Sequence, residues 1–291
     1  MQLESLKVFC DLAESRSFTN AARISGISQS AVSQQINSLE RHFGALLIER
    51  SKKMFRLTVE GRLLYEHSKE IINSYEALTS NIQSLKNVVS GNIRISTIYS
   101  LGLHTLPPFL KKFLKKFPTV NVHVEYSHAE KILEDILGNV VDLGLLAYPG
   151  KNGKLNIIPL MEEPLVLVCE PGHPLANRGS ICLADISGEN LVGFHIDIPT
   201  RRGIDRELRE KKITVNTVTE FDNIETVKRA VEIGVGVAIV PEVTVAQEVQ
   251  LGSLASVKFS DVRLARPVAV VHKKSKTLSP ALQQFLSILT G

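Results

Sequence analysis

Leu3, Leu6, Phe9, Cys10 and Ala13 recur at the three- and four-residue spacing of one helix face, and that pattern breaks at 14–17. A second helix is predicted from Phe18 through Ile24 and is stopped by the Ser25-Gly26-Ile27-Ser28 turn. Ser28 is placed to cap a third helix, in which Ala31, Val32, Ile36, Leu39 and Phe43 face inward while Gln29, Ser30, Ser33, Gln34 and Asn37 stay polar. Gly44 ends it. From Leu46 to Thr58, apolar segments flank Ser51-Lys52-Lys53, which predicts a two-stranded ribbon with a basic tip. Beyond it Ile71, Tyr75, Leu78, Ile82, Leu85 and Val89 alternate spacings of four and three, the seam of a coiled coil. A helix over 58–89 would be about 48 Å long at 1.5 Å per residue. Such a length with so narrow an apolar stripe implies a partner helix.

Ser90, Gly91 and Asn92 mark a hinge, after which the period changes. Ile93 and Ile95 open a strand, and a helix follows with Leu106, Phe109, Leu110, Phe113 and Phe117 inward. Val120, Val122 and Val124 alternate as a strand, Ile132, Leu133, Ile136 and Leu137 make a helix, and 142–146 form a third strand. The same order recurs over 191–194, 200–210, 214–220, 223–233 and 237–240. Strands near 165–169 and 267–271 fall where crossovers must pass, and 279–289 supplies a closing helix. The expected fold is mixed: an all-α winged helix-turn-helix head over 1–57, a dimerisation helix and hinge over 58–91, and an α/β body over 92–291. That body is expected to be two Rossmann-like lobes resembling periplasmic binding proteins, lobe I at 92–162 and 267–291 and lobe II at 163–266.

Composition narrows the class. With 44% apolar and 22% charged residues the chain resembles an ordinary globular protein, and its formal charge is only +4. Charge location says more: Arg50, Lys52, Lys53 and Arg56 fall within seven residues that contain no acid. The first residues carry no basic segment followed by an apolar stretch, and no apolar run reaches bilayer length, so a cytoplasmic protein without membrane partners is expected. Cys10, Cys169 and Cys182 have neither metal-ligand nor redox-pair spacing and are expected to be small buried hydrophobes. The eight histidines form no HxxxH or HExxH arrangement and no Gly-x-Ser-x-Gly elbow occurs, so no catalytic centre, metal or cofactor is expected. Gly234-Val-Gly236 lacks the third glycine of a dinucleotide fingerprint and leads into a strand, as a tight turn would. A solute-binding protein would share the two-lobed body, but not the head.

The polar start of the third helix is where a helix-turn-helix meets base edges in the major groove. Gln29 and Gln34 can pair with adenine in bidentate fashion, and Ser30 and Ser33 can reach base edges or phosphate. Arg50, Lys53 and Arg56 on the wing would contact phosphates, adding salt-sensitive affinity with little sequence discrimination. Opposite, in the body, the first strand ends at Thr97, Tyr99 and Ser100, and Thr200 begins the equivalent helix of lobe II, followed by Arg201 and Arg202. Helix N-termini, hydroxyls and an arginine suit an anionic effector. The alternative is that Ser100 and Thr200 are caps and the arginines face solvent. Tyr148, past the third strand, and Asn223, a candidate cap, are placed to line the same cleft.

These residues carry a resemblance. The runs at 18–23, 27–40, 46–50 and 57–61 resemble the signature of the LysR-type transcriptional regulators. Ile48, Lys53 and Glu60 depart from the residues common there, and Lys53 loses a bidentate fork. The resemblance extends over the whole chain. It implies homodimers through the long helix, assembly into homotetramers, bending of double-stranded promoter DNA, and a response to a small co-inducer bound between the lobes, with RNA polymerase as a further partner. By resemblance to the sulfur- and carbon-assimilation branches, Ser100 and Thr200 match hydroxyls that face the effector.

Overall fold

The computed structural model describes residues 2–51, 54–84 and 89–291. Three helices form the head: α1 (Leu3–Ser15), α2 (Phe18–Ser25) and α3 (Gln29–Phe43). Their ends follow local chemistry. Arg16 ends α1 in the left-handed conformation at φ 52°, and the Ser17 hydroxyl accepts the Asn20 amide hydrogen to start α2. Ser28 caps α3 through the Ala31 amide at 3.2 Å, and Gly44 ends it at φ 63°. Leu6, Phe9, Leu12, Ala21, Val32, Ile36, Leu39 and Leu47 close one core between them. Phe43 departs from the predicted inward set: it is the last residue of α3, beyond the reach of the other two helices, and 45% exposed.

The ribbon is β1 (Ile48–Ser51) paired antiparallel with β2 (Met54–Leu57). The basic tip, Lys52 and Lys53, lies outside the described residues. Thr58 then joins wing to helix: its hydroxyl donates to the Leu46 carbonyl at 2.6 Å and accepts from the Gly61 amide at 2.9 Å. Only glycine fits at 61, because a Cβ there would stand 2.0 Å from the Leu47 carbonyl oxygen.

The long helix α4 spans Val59–Ser84, 26 residues or about 39 Å. Leu64, Tyr65 and Ile72 pack on the head core. Ile71, Tyr75, Leu78 and Ile82, four of the predicted seam positions, are 47–55% exposed. Leu85 lies outside the described residues. Val89 is a correction: it is not on the helix but packs against the core of the first lobe.

The body continues with β3 (Gly91–Thr97), α5 (Pro107–Lys116), β4 (Val120–Tyr126), α6 (Ala129–Leu137), β5 (Leu143–Ala147), β6 (Leu155–Cys169), β7 (Ser180–Ile181), β8 (Asn190–Phe194), α7 (Pro199–Glu210) and β9 (Asn216–Phe221). It closes with α8 (Ile224–Glu232), β10 (Ala238–Pro241), α9 (Ala246–Leu251), β11 (Ala255–Phe259), β12 (Ala265–Lys273) and α10 (Pro280–Thr290). One sheet runs β4-β3-β5-β12-β6-β11-β7, with β10 also on β6. In lobe I, β3 is parallel to both β4 and β5, and α5 and α10 cover one face through Phe113 and Phe285. In lobe II, β8 is parallel to β9, while β10 turns antiparallel onto β6. The two halves are therefore not identical repeats.

β6 and β12 tie the lobes together. The first part of β6, 155–164, pairs with β12, and its last residues pair inside lobe II, 165–168 with β10 and 167–169 with β11. Sequence predicts only that last part, because Pro159, Glu162, Glu163 and Pro164 interrupt the apolar pattern.

The cysteines divide. Burial pushes the Cys10 thiol up to about 12 and the Cys169 thiol to about 11. Cys182 is exposed, against expectation, because it sits at the surface start of a short 3-10 turn. Iodoacetamide on the native protein is expected to label Cys182 alone, with Cys10 and Cys169 reacting only after unfolding. Mass spectrometry showing native labelling of Cys169 would mean that lobe II opens far more readily than its packing implies.

Candidate functional site

The head presents one polar face. Gln29, Ser30 and Gln34 are exposed and Ser33 is half-buried, all within the first two turns of α3. Ser30 is not free to roam: its hydroxyl shares a 2.9 Å hydrogen bond with the capping Ser28. On the wing Arg56 is exposed and stands across the ribbon from Glu49, which offsets part of its charge. The side chain of Arg50 and all of Lys53 lie outside the described residues.

Between the lobes lies a cavity of about 890 Å³. Tyr99 and Ser100 reach it from lobe I, Thr200, Arg202 and Asn223 from lobe II, and Arg266 from β12 at its floor. Arg266 is 2% exposed and organises the floor. Its Nε and Nη2 donate to Glu163 Oε2 at 2.8 and 2.7 Å, Nη2 also donates to Ser100 Oγ at 3.0 Å, and Nη1 donates to Thr200 Oγ1 at 3.4 Å. Glu163 Oε1 accepts from the Thr105 hydroxyl at 2.5 Å. Burial pulls the guanidinium below its ordinary pKa, and the adjacent Glu163 opposes that.

The consequence for Ser100 and Thr200 is geometric. Each hydroxyl oxygen accepts from a guanidinium, so its own hydrogen is left to donate elsewhere. Neither is a cap: Ser100 makes no capping bond, and Thr200 lies inside α7, whose cap position is Ile198. The floor therefore offers hydrogen-bond donors contributed by both lobes.

Other predicted residues fall differently. Tyr99 stacks on Tyr126 with ring centroids 5.3 Å apart and walls the cavity. Tyr148 also lines it, at φ 51°, with its hydroxyl 3.4 Å from the Ala265 carbonyl. A Cβ at position 203 would meet that hydroxyl at 2.4 Å, so Gly203 lets the lobe I tyrosine lie against α7. Asn223 caps α8 through the Thr226 amide at 3.1 Å while lining the cavity.

Two predictions need correction. Thr97 is fully buried, its hydroxyl donates to the Ile98 carbonyl at 3.3 Å, and it does not line the cavity. Arg201 points into lobe II instead: Nε donates to both oxygens of Asp205 at 2.8 and 2.9 Å, and Nη1 to the Phe194 carbonyl and Glu220, each at 2.8 Å. One residue is 100° of helix rotation, so Arg202 takes the place foreseen for Arg201. Arg266 and Glu163 were missed. A lone arginine in 264–271, otherwise apolar but for Pro267, and the Glu162-Glu163 pair within a strand were the signals.

A second contact fastens the lobes. The chain around 101–105 makes a π-helical turn, and His104 on it pairs with Glu225 of α8 at 2.9 Å. Among the described residues no helix is long and apolar enough to cross a membrane, and no group of three or more His, Cys, Asp or Glu could hold a metal ion.

A helix-turn-helix head joined by a long apolar-striped helix to a two-lobed, cleft-bearing body defines a one-chain regulator, DNA reader and ligand sensor together. Residues 3–62 match the model described as a bacterial regulatory helix-turn-helix protein of the lysR family, and residues 86–291 match the LysR substrate binding domain. The chain belongs to the LysR family of transcriptional regulators. It is 30% identical over 287 residues to the transcriptional activator CmpR of Synechocystis, covering 99% of this chain and 94% of that one. A full-length OxyR variant from Pseudomonas aeruginosa superposes with a TM-score of 0.78 at 22% identity, covering 100% of this chain and 93% of that one. The regulatory domain of Synechocystis CcmR, solved in complex with 2-PG, superposes at 0.63 with 24% identity, covering 69% of this chain and 96% of that one.

Proposed function

We propose that this regulator works as a homodimer, joined into tetramers, that binds promoter DNA through Gln29, Ser30, Ser33 and Gln34, with Arg50, Lys53 and Arg56 on phosphates. A small organic anion in the interlobe cleft switches it, and RNA polymerase is the downstream partner. The observation that carries the cleft reading is the buried Arg266, which turns Ser100 of one lobe and Thr200 of the other into donors facing a single cavity. Arg202 adds positive charge at the wall, and Asn223 a polar side chain. A volume of about 890 Å³ lies within the range of organic ligands and well above what a bare inorganic ion fills. The CcmR domain, of the same fold, takes a small ligand, 2-PG.

The test is thermal stability of the full chain against sugar phosphates, small carboxylates, aromatic acids and sulfate. A ligand at about one hundred times its dissociation constant adds roughly 2.7 kcal/mol. The rise from an organic anion held in the cleft is expected to vanish in Ser100→Ala and Thr200→Ala and to persist in Arg201→Lys, whose side chain faces away, whereas a rise with sulfate that survives both alanines belongs to another site. No rise with any anion would overturn the cleft reading.

On DNA, Gln29→Ala is expected to cost about 1–3 kcal/mol on the cognate site and little on random duplex. Arg56→Ala is expected to weaken both alike and to lower the salt slope by about one. Equal behaviour of the two variants in salt-titrated binding assays would refute this division of roles.

A further inference from the structure

A second cavity, of about 400 Å³, lies where the head, α4 and lobe I meet. Its walls include Lys7 of α1, Asn73 and Glu76 of α4, Asp142 before β5, and Lys276 and Ser279 before α10. One of its acids is already engaged by cations. Asp142 Oδ2 accepts from the Arg94 amide at 2.7 Å and from Arg94 Nε at 3.4 Å, while Oδ1 meets Arg94 Nη2 at 3.3 Å and Lys276 Nζ at 2.8 Å. One carboxylate thus serves two cations, and the Asp142 and Lys276 side chains are only 10% and 8% exposed. Burial pushes the Asp142 carboxyl up, but Arg94 and Lys276 outweigh it and hold the group below its ordinary value, so Asp142 is fully spent on them.

Lys276 is not satisfied by that contact. An ammonium has three donors, and beyond Asp142 its Nζ has no hydrogen-bond partner among the described residues. Lys7 adds a further cation, its Nζ 6.0 Å above the Tyr75 ring that also lines the cavity. Glu76 is the second acid, and it stands on the exposed side of α4. Lys7 and Lys276 thus line the cavity with Asp142 and Glu76, and Arg94, outside the lining, takes up much of the Asp142 carboxylate. Ser279 caps α10 by accepting the Leu282 amide at 3.3 Å, so its hydroxyl hydrogen remains available on the cavity side of an 11-residue helix N-terminus.

We infer that this junction is a second binding site, for a small oxyanion or carboxylate that bridges Lys7 of the head to Lys276 of the body. Its ligand touches both units at once, unlike one in the interlobe cleft. Occupancy adds the head to a junction where α4 is already tied to lobe I, Arg94 Nη2 donating to Asn73 at 2.7 Å and Lys273 pairing with Glu70 at 2.9 Å. By linkage, whatever moves the head changes anion affinity, and the anion changes the head's freedom to meet DNA by the same factor.

The experiment is calorimetric titration of the full chain with sodium sulfate at constant ionic strength, in a Ser100→Ala/Thr200→Ala background that disables the cleft. Saturable binding is expected to remain there, and Lys7→Met or Lys276→Met to weaken it about tenfold, the worth of one charge-assisted hydrogen bond. Hydrogen exchange of amides 70–79 and 91–97 should slow with sulfate in that background and not after Lys7→Met. Absence of saturable binding, or binding indifferent to both lysine changes, overturns the site and leaves the cleft reading standing. Should Lys276→Met fold poorly, Lys7→Met decides alone, since Lys7 is a half-buried surface residue with no ion-pair partner among the described residues.

Discussion

Arg266→Ala is expected to destabilise the protein by roughly 3–5 kcal/mol at neutral pH, the penalty for stranding one member of a buried ion pair. Among the described residues Glu163 would keep only the Thr105 hydroxyl while remaining 3% exposed. The double replacement Glu163→Gln with Arg266→Met removes both charges at similar volume and should recover most of the loss. Both variants should lose the ligand-induced rise in melting temperature, because nothing then orients Ser100 and Thr200 as donors. Denaturant unfolding of the full chain reads the first effect. A single variant within 1 kcal/mol of the parent would mean that water reaches Glu163 and that the floor is wet.

Leu78→Asp is expected to release monomers and to lower affinity for a two-half-site operator by about 10²–10⁴, the usual loss when a bivalent contact becomes monovalent. Leu78 is 55% exposed in the middle of a stripe with Ile71, Tyr75 and Ile82, too much apolar surface for a helix to leave in water. A carboxylate at that position faces the same carboxylate or an apolar side chain of the partner. Sedimentation velocity decides: an undisturbed dimer would place the interface elsewhere, and half-site affinity, untouched by the substitution, would show that the head still folds.

What could be read from the chain and what could not divide by distance along it. Ser28 and Gly44 fix α3 because cap and stop are local, and the same holds for the wing strands and for Asn223 at α8. The floor of the cleft is built otherwise: Arg266 meets Glu163 across 103 residues and Ser100 across 166. No local pattern carries such a pairing. Arg201 and Arg202 show a finer failure, since the position of α7 was foreseen but its rotation about its own axis was not. That rotation is set by Asp205 and Glu220, which draw Arg201 into lobe II. β6 was half hidden because its first part is largely half-buried or exposed and broken by Pro159 and Pro164, and only 165–169 form an unbroken buried run. Val89 kept the phase of the seam by coincidence, its partners being those of lobe I.

Arg266 sits on β12, one of the strands that pair across the boundary between the lobes. Its two hydroxyl contacts, 3.0 Å to Ser100 and 3.4 Å to Thr200, are therefore a built-in gauge of lobe separation. A change in lobe separation would register in the Thr200 contact, whereas Arg266 and Glu163, paired directly across β12 and β6, would keep their mutual bonds.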